Sequence, residues 1–178
     1  MQKKTMDELN RMSVAEMRAA EKHPIIVILD DVRSMHNVGS VFRTCDGFAV
    51  AAVYLCGYTP QPPHRDIHKT ALGATETVYW KHFATVTDAI AQCRADGYKV
   101  YAVEQVHNSI SLEQFSAGPE DKTALIFGNE VSGVNEEAIQ QCEGCIEIPQ
   151  WGAKHSLNIS IAAGVVLWEM VRCNGSMA

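Results

Sequence analysis

Short apolar runs alternate with amphipathic segments along nearly the whole chain, and this alternation limits the possible folds more than any other feature. Clear strand candidates are IIVILDDV at residues 25–32, AAVYLC at 51–56, YKVYAVEQ at 98–105 and KTALIFGN at 122–129. Helical patterns lie between them, such as VTDAIAQCRADG at 86–97, which ends at a glycine. Such alternation favours an α/β fold with a mostly parallel sheet. The length of 178 residues suits one compact domain.

Less distinct elements complete this pattern. Amphipathic spacing predicts helices over residues 7–22 and 135–142, whereas residues 77–83 and 145–149 have the composition of strands. Residues 57–69 are rich in proline and are predicted to be a loop. Ligands of open parallel sheets bind at the carboxyl ends of the strands, so the loops that follow the strands are candidate sites.

Two helices contain apolar stripes that predict how they pack. In the segment that begins at Asn37, the stripe consists of Val38, Val41, Phe42 and Cys45. The last helix is predicted over residues 156–173. Its stripe, expected to pack against the rest of the protein, consists of Leu157, Ile161, Val165 and Trp168.

Composition excludes several classes of protein. The net charge is −6, and residues 71–178 hold six Lys and Arg against thirteen Asp and Glu, so a nucleic-acid partner would need a local basic patch. No apolar run approaches the roughly 20 residues of a membrane span. The N-terminus lacks the apolar core of a signal peptide, so a cytoplasmic location is expected.

Two of the six cysteines, Cys142 and Cys145, have the CxxC spacing of some metal and redox sites. This pair ends a helical pattern and enters a strand, whereas a redox pair is expected where a helix begins. A second Cys or His pair is missing nearby in the sequence. We therefore predict that these cysteines pack in the core and that the protein binds no metal.

The segment from His36 to Arg43 is the first candidate site. Gly39 and Arg43 lie one helical turn apart, away from the apolar stripe. A glycine there is expected to leave room for a ligand to approach the guanidinium. The alternative is an ordinary capped helix in which Arg43 pairs with Asp46.

The second candidate, FGNEVSG at residues 127–133, follows a buried strand directly and places Glu130 between two glycines. It is neither a GxGxxG fingerprint nor a P-loop, because the phosphate-binding lysine is missing. A carboxylate repels phosphate, so a cationic or hydroxyl-rich ligand fits better. The alternative is a tight turn followed by a helix cap.

The third candidate, at residues 148–164, reads IPQWGAKHSLNISIAAG. Pro149 and Gly152 shape a loop after a strand, and Ser156 is a suitable N-cap for the last helix. Ser156 together with Asn158 offers more donors and acceptors than one cap uses. This surplus indicates a polar site at the start of the helix.

In chain order, these three segments resemble the motifs of the SpoU family of RNA ribose 2′-O-methyltransferases, within the SPOUT class. The matching patterns are N-x-G-x-x-x-R at residues 37–43, F-G-N-E-x-x-G at 127–133, and I-P-x-x-G-x-x-x-S-L-N-x-S-x-A at 148–162. The resemblance spans roughly residues 24–173. It implies an α/β fold with a deep C-terminal trefoil knot, an exception to the rule against threaded chains. It also implies a homodimer with its active site near the subunit interface.

The resemblance also assigns residues to the site. S-adenosylmethionine would bind in the knot. The catalytic positions it implies are Arg43, Asn37, Glu130, Ser156 and Asn158. The cofactor positions are Val103, Gly128, Asn129, Ile148, Gly152, Ser156 and Leu157. The expected domain division is a helical extension over residues 1–23 and a methyltransferase domain over 24–178.

The substrate would be tRNA or rRNA, methylated on a ribose 2′-hydroxyl. Phosphate contacts are predicted from basic residues in or beside the candidate loops: Arg33, His64, Arg65, Lys69 and Lys154. Arg43 would act either as a base helped by a substrate phosphate or as a charged stabiliser of the developing alkoxide, and the sequence leaves both open.

Two other functions are alternatives to this one. A catalytically silent RNA-binding or chaperone module would keep the cofactor pocket but need not keep Asn37, Arg43, Glu130 and Asn158. A Rossmann-type enzyme acting on a small substrate would need a glycine-rich first turn after a strand, and the turn DDVRSMHNVG has one glycine.

Overall fold

Seven strands, all paired in parallel, form one sheet in the part of the chain that the structure describes. The structure is a computed structural model. It describes residues 2–5, 8, 12–154 and 156–173. The strands are β1 (His23–Asp30), β2 (Val50–Cys56), β3 (Trp80–Phe83), β4 (Lys99–Val103), β5 (Ile110–Ser111), β6 (Thr123–Phe127) and β7 (Gly144–Glu147). Their order across the sheet is β3-β2-β1-β6-β4-β7-β5. The predicted parallel α/β fold is confirmed.

Helices cover both faces of the sheet. They are α1 (Val14–Ala19), α2 (Met35–Gly47), α3 (Arg65–Ala71), α4 (Ala74–Thr77), α5 (Val86–Ala95), α6 (Glu136–Gln140) and α7 (Ile159–Cys173). The core on one face contains residues from α2, α3, α4 and α7, and the core on the other contains residues from α5 and α6. No described helix is both long enough and apolar enough to span a membrane.

The central strand β1 shows why this layering follows from the sequence. Ile25, Val27 and Leu29 join the core on one face, while Ile26 and Ile28 join the core on the other. Successive side chains of a strand point to opposite faces, so a continuous apolar run is stable only where helices cover both. The apolar runs of β1 and β6 therefore occupy the middle of the sheet, where they pair with each other.

The loop predicted at residues 57–69 was partly wrong, because it contains the start of α3. The side chain of His64 caps this helix by accepting a hydrogen bond from the backbone N–H of Asp66 at 3.2 Å. Histidine is a weak cap signal in a sequence, and the prolines before it obscured the helix. The helix predicted over residues 7–22 is described only from Val14 to Ala19, and residues 7 and 9–11 lie outside the described residues.

The predicted packing of the last helix was also wrong. Ile161 and Trp168 are 56% and 58% exposed, whereas Val166 and Leu167 are fully buried. Since α7 is apolar on nearly all sides, its periodicity could not identify the face that packs on the sheet. The helix also begins at Ile159, because the Asn158 side chain, not that of Ser156, accepts from the N–H of the first turn, at Ser160. By contrast, the stripe predicted in α2 is confirmed, with all four side chains buried.

Gly39 does not provide the open approach for a ligand that its position suggested. A Cβ at this residue would collide with the hydroxyl of Thr70 and the carbonyl oxygen of Ile67, both on α3. The glycine therefore allows α2 and α3 to pack closely. The alternative pairing of Arg43 with Asp46 is not seen among the described residues either, and the Asp46 carboxylate instead accepts a hydrogen bond from Thr77.

We expect Gly39→Ala to lower the free energy of unfolding by about 1–3 kcal/mol, because the added methyl group overpacks the contact with α3. Chemical denaturation followed by circular dichroism measures this change. Gly47→Ala is the matched control, since that helical glycine has nothing within 4 Å of an added Cβ and alanine is the better helix former. Equal effects of the two substitutions would contradict this account of α2 packing.

Candidate active site

A cavity of about 480 Å³ opens at the carboxyl ends of β4, β6 and β7. Four segments contribute to its lining: residues 103–105, residues 127–133, residues between 146 and 150, and, around the start of α7, residues 156–159 and 162. This volume is typical of sites for small molecules. The cavity lies at the sheet edge where the sequence predicted a ligand.

The loop after β6 is a tight turn closed on itself, as one of the two sequence interpretations proposed. Asn129 and Gly133 exchange two backbone hydrogen bonds of 2.9 Å, and the Asn129 side chain accepts from Val131 N–H at 2.9 Å. Gly128 is required because a Cβ there would collide with the backbone of Gly133 and Val134. Asn129 also donates to the carbonyl oxygen of Asp31 at 2.7 Å, which ties the turn to the end of β1.

Glu104 is a cavity residue that the sequence reasoning missed. Its carboxylate accepts a hydrogen bond from Val134 N–H at 3.1 Å and fills the space beside Gly133, which has a φ of +72°. Glu104 therefore braces the turn after β6 from the neighbouring strand. Its position directly after β4 was the available signal, because that is where ligand-site residues of parallel sheets occur.

Glu130 joins the turn to the first candidate loop. Its carboxylate accepts hydrogen bonds from the backbone N–H groups of Arg33 and Ser34 at 3.0 and 3.1 Å. The side-chain amide of Asn37 donates a third hydrogen bond at 3.0 Å. The Asn37 carbonyl oxygen in turn accepts from the amide of Asn158 at 3.1 Å, at the start of α7. The three motifs are thus physically connected, although they lie far apart in the sequence.

The environment of Glu130 keeps its carboxyl group ionised. Burial alone raises the pKa of Glu130, but hydrogen bonds from the N–H groups of Arg33, Ser34 and Glu130 itself and from Asn37 outweigh burial. The net result is a pKa below the ordinary value of 4.5. Near neutral pH, Glu130 can accept hydrogen bonds but has no proton to donate.

The structure gathers most of the predicted cofactor and catalytic residues. Those that line the cavity are Val103, Gly128, Asn129, Glu130, Ile148, Ser156, Leu157 and Asn158. Asn37 lies beside it through its hydrogen bonds to Glu130 and Asn158. Gly152 lies in an exposed loop outside the lining, and Arg43 is exposed on α2, also outside the lining.

All five predicted RNA contacts are exposed: Arg33, His64, Arg65, Lys69 and Lys154. Some of their polar groups have local partners. The Lys69 ammonium pairs with Asp66 at 2.7 Å, and His64 caps α3. Arg33 belongs to the hydrogen-bond network itself, because its backbone N–H donates to the Glu130 carboxylate.

The cysteines of the CxxC pair occupy packing positions. The Cys142 thiol donates to the carbonyl oxygen of Ala138, and Cys145 is buried in β7. Burial raises the pKa of the Cys142 thiol to about 12. A thiol with so high a pKa is a poor nucleophile near neutral pH.

Comparison of the fold with solved structures identifies close neighbours. The A. aeolicus TrmH/SpoU tRNA modifying enzyme superposes with a TM-score of 0.78 at 24% identity, over 89% of this chain and 81% of that one. An AdoMet-bound rRNA methyltransferase from Sinorhizobium meliloti gives 0.77 at 28% identity, over 88% of this chain and 59% of that one. The parallel sheet and its helices are therefore those of SpoU proteins.

Sequence comparison agrees with the fold. The chain is 30% identical to the tRNA (guanosine(18)-2′-O)-methyltransferase of Thermus thermophilus, over 93% of this chain and 83% of that enzyme. It is also 30% identical to the 23S rRNA (guanosine-2′-O-)-methyltransferase RlmB of Vibrio vulnificus, over 95% of this chain and 67% of that enzyme. The SpoU rRNA Methylase family matches residues 24–168. Since this match covers most of the chain and includes all three motifs, the protein belongs to the SpoU rRNA methylase family.

Proposed function

We propose that this protein is an RNA methyltransferase that uses S-adenosylmethionine to methylate a ribose 2′-hydroxyl of tRNA or rRNA. The observation that carries the proposal is the Asn37–Glu130–Asn158 network, because it joins the three family motifs beside one cavity. The family and its 2′-O-methyltransferase relatives support the same reaction.

The cavity suits S-adenosylmethionine. Its walls combine apolar side chains such as Ile146 and Leu157 with the exposed backbone of the turn at Gly128. Three carboxylates, Glu104, Glu130 and Glu147, line it, and none of the described lining residues is basic. Such a lining disfavours a dinucleotide phosphate and accepts a cation. When bound, the cofactor supplies a methyl group activated on a sulfonium sulfur.

The cofactor contacts proposed are Val103, Gly128, Asn129, Ile148, Gly152, Ser156 and Leu157. Those that line the cavity offer an adenosyl group apolar side chains and backbone groups. Gly152 would act through the course of the loop after β7, because it lies outside the cavity lining.

In the reaction, the ribose 2′-oxygen would take the methyl group, the sulfonium would leave as the neutral thioether S-adenosylhomocysteine, and the hydroxyl proton would pass to solvent water. We assign Arg43 the stabilisation of negative charge that develops on the 2′-oxygen, since a guanidinium keeps its proton in proteins. The exposed Arg43 has no ion-pair partner among the described residues, so its charge is available to a substrate. Asn37, Glu130, Ser156 and Asn158 would orient the reacting groups.

A second copy of the chain is proposed to cover the exposed face of α7. This face carries Ile161, Val165 and Trp168, and a cavity of about 430 Å³ beside it is lined by Trp151. Contiguous exposed apolar surface of this kind marks an interface. The rings of Trp168 and Phe48 lie 6.2 Å apart, so the face continues onto the end of α2, the helix that carries Arg43. A dimer would thus bring the partner near Arg43.

Three further features implied by the family are part of the proposal. They are the trefoil knot in the C-terminal part of the chain, the division into an extension at residues 1–23 and a domain at 24–178, and a cytoplasmic location. Of the extension, the structure describes α1, which begins with a capping box formed by Ser13 and Glu16.

The reaction is tested by incubating the protein with methyl-labelled S-adenosylmethionine and total RNA, followed by nucleoside analysis. We expect the label on a 2′-O-methylated nucleoside. Label on a base, or on no RNA at all, would overturn the proposed function. In the same assay, Arg43→Lys is expected to lower turnover about a hundredfold, because lysine keeps the charge but loses the planar pair of donors.

Arg94→Lys is the matched control for Arg43→Lys. Arg94 is exposed on α5 and contacts the carbonyl oxygen of Gln141, away from the cavity. The Arg94→Lys variant should therefore have wild-type turnover. Near-full turnover of Arg43→Lys would show that the guanidinium of Arg43 is not essential.

Glu130 is expected to titrate below pH 4.5 in carboxyl carbon NMR of the folded protein, and Asn37→Leu should raise the midpoint by removing a donor. Because the folded-state pKa is lowered, ionised Glu130 stabilises the fold at neutral pH, and this stabilisation is lost as pH falls through that pKa. Gln92→Leu is the control, because the amide of Gln92 on α5 donates to Asp96 directly after that helix, away from Glu130. A midpoint at or above 4.5, or one that Asn37→Leu leaves unchanged, would refute the role of these donors.

For the dimer, sedimentation equilibrium of the wild-type protein should give twice the chain mass. Ile161→Glu places a charge on the exposed face of α7 and is expected to shift the protein to monomers, because an unpaired charge is costly to bury. Tyr79→Glu is the control, since Tyr79 is 63% exposed and precedes β3 at the opposite edge of the sheet. A monomeric wild type, or a dimeric Ile161→Glu variant, would exclude this interface.

A further inference from the structure

Tyr58 lies on a turn directly after β2 and is 89% exposed. The backbone of this turn is firmly held. Gly57, at a φ of +59°, donates its N–H to the carbonyl oxygen of Phe83 at 3.2 Å, and Tyr58 N–H donates to the Asp31 carboxylate at 2.8 Å. His82 Nε2 lies 3.1 Å from the carbonyl oxygen of Gly57. The turn therefore fixes the origin of an exposed aromatic side chain.

The next residue adds to this rigidity. Thr59 is 2% exposed, and its hydroxyl donates to the carbonyl oxygen of Leu29 and accepts from Val32 N–H, both at 3.0 Å. Isolated exposed apolar side chains are common on protein surfaces and need no function. Here, however, hydrogen bonds hold the backbone of Gly57 on one side of Tyr58 and the buried Thr59 on the other, so its ring is presented to solvent from a fixed position. Such an arrangement reduces the conformational entropy that the protein loses when the ring stacks on a ligand.

The turn also adjoins the catalytic network. The Asp31 carboxylate, which accepts from Tyr58 N–H, belongs to the first residue of the loop at 31–34. Arg33 and Ser34 of the same loop donate their backbone N–H groups to Glu130. The same four-residue loop thus connects the Tyr58 turn to the Glu130 carboxylate. The exposed side chain of Arg33 extends from it.

We propose that Tyr58 is a stacking platform for an unpaired nucleobase of the RNA substrate, beside the nucleotide whose ribose is methylated. An exposed aromatic ring next to cationic side chains is how proteins bind single-stranded RNA, because the ring stacks on a base while Arg and Lys contact phosphates. Arg33 on the adjoining loop and Arg65 at the start of α3 supply such charges. This inference rests on the proposed function and adds a binding site for a base to it.

The test uses the full chain, S-adenosylmethionine and total RNA, with methyl transfer followed at increasing RNA concentration. Tyr58→Leu keeps apolar area but removes the aromatic face. It is expected to raise the apparent KM for RNA about tenfold. Tyr58→Phe keeps the ring and should have a KM close to that of the wild type. The Kd for S-adenosylmethionine, measured by calorimetry, should be equal in all three proteins, because the turn lies outside the cavity lining.

Tyr79→Leu is the matched control, because it removes an exposed tyrosine at the amino end of the parallel strands, whereas Tyr58 lies at their carboxyl end. Its KM for RNA should not change. The stacking platform would be overturned if the KM of Tyr58→Leu for RNA lay within twofold of the wild-type value, or if Tyr79→Leu raised the KM equally. Methyl transfer by the wild-type protein would in that case still support the proposed function. Absence of methyl transfer by the wild-type protein would overturn the proposed function itself.

Discussion

The carboxylate of Glu130 holds the site together, because it is satisfied by donors from another part of the chain. Among the described residues it has no ion-pair partner, and three N–H donors from the loop after β1 and the start of α2 take that place. Moving either segment would cost the exposed Glu130 carboxylate the three charge-assisted hydrogen bonds that fix its position. Asn37 extends the connection to Asn158, so the start of α7 depends on the same arrangement.

The sheet makes this arrangement possible. β1 and β6 are parallel neighbours, so their carboxyl ends lie side by side, and the loops that follow meet although Asn37 and Glu130 are 93 residues apart. β4 and β7 continue the same edge, which brings Glu104 and Ile148 to the cavity. A cofactor and a ribose can then be held between rigid strand ends, as positioning for methyl transfer requires. The turn carrying Tyr58 lies at this edge too.

The sequence predicted six of the seven described strands and the three candidate loops, because buried strands and glycine-rich turns have strong local signals, whereas the two-residue β5 is too short to have one. It did not predict which face of α7 packs, since Ile161 and Val166 are equally apolar and only the tertiary structure distinguishes them. The expectation that Gly39 leaves room for a ligand was wrong for a related reason. The helix that fills this space, α3, begins at an unusual histidine cap after prolines and was not predicted. Glu104 was missed because its partner, Val134 N–H, is a backbone group that no residue pattern reveals.

A double-mutant cycle on Asn37 and Asn158 tests most directly whether the three loops act as one unit. Turnover for 2′-O-methylation would be measured for the wild type, Asn37→Ala, Asn158→Ala and the double variant. We expect each single substitution to lower turnover and the double variant to be little worse than either, because both remove the same hydrogen bond of 3.1 Å. A double variant whose loss equals the product of the two single losses would show that the loops contribute independently.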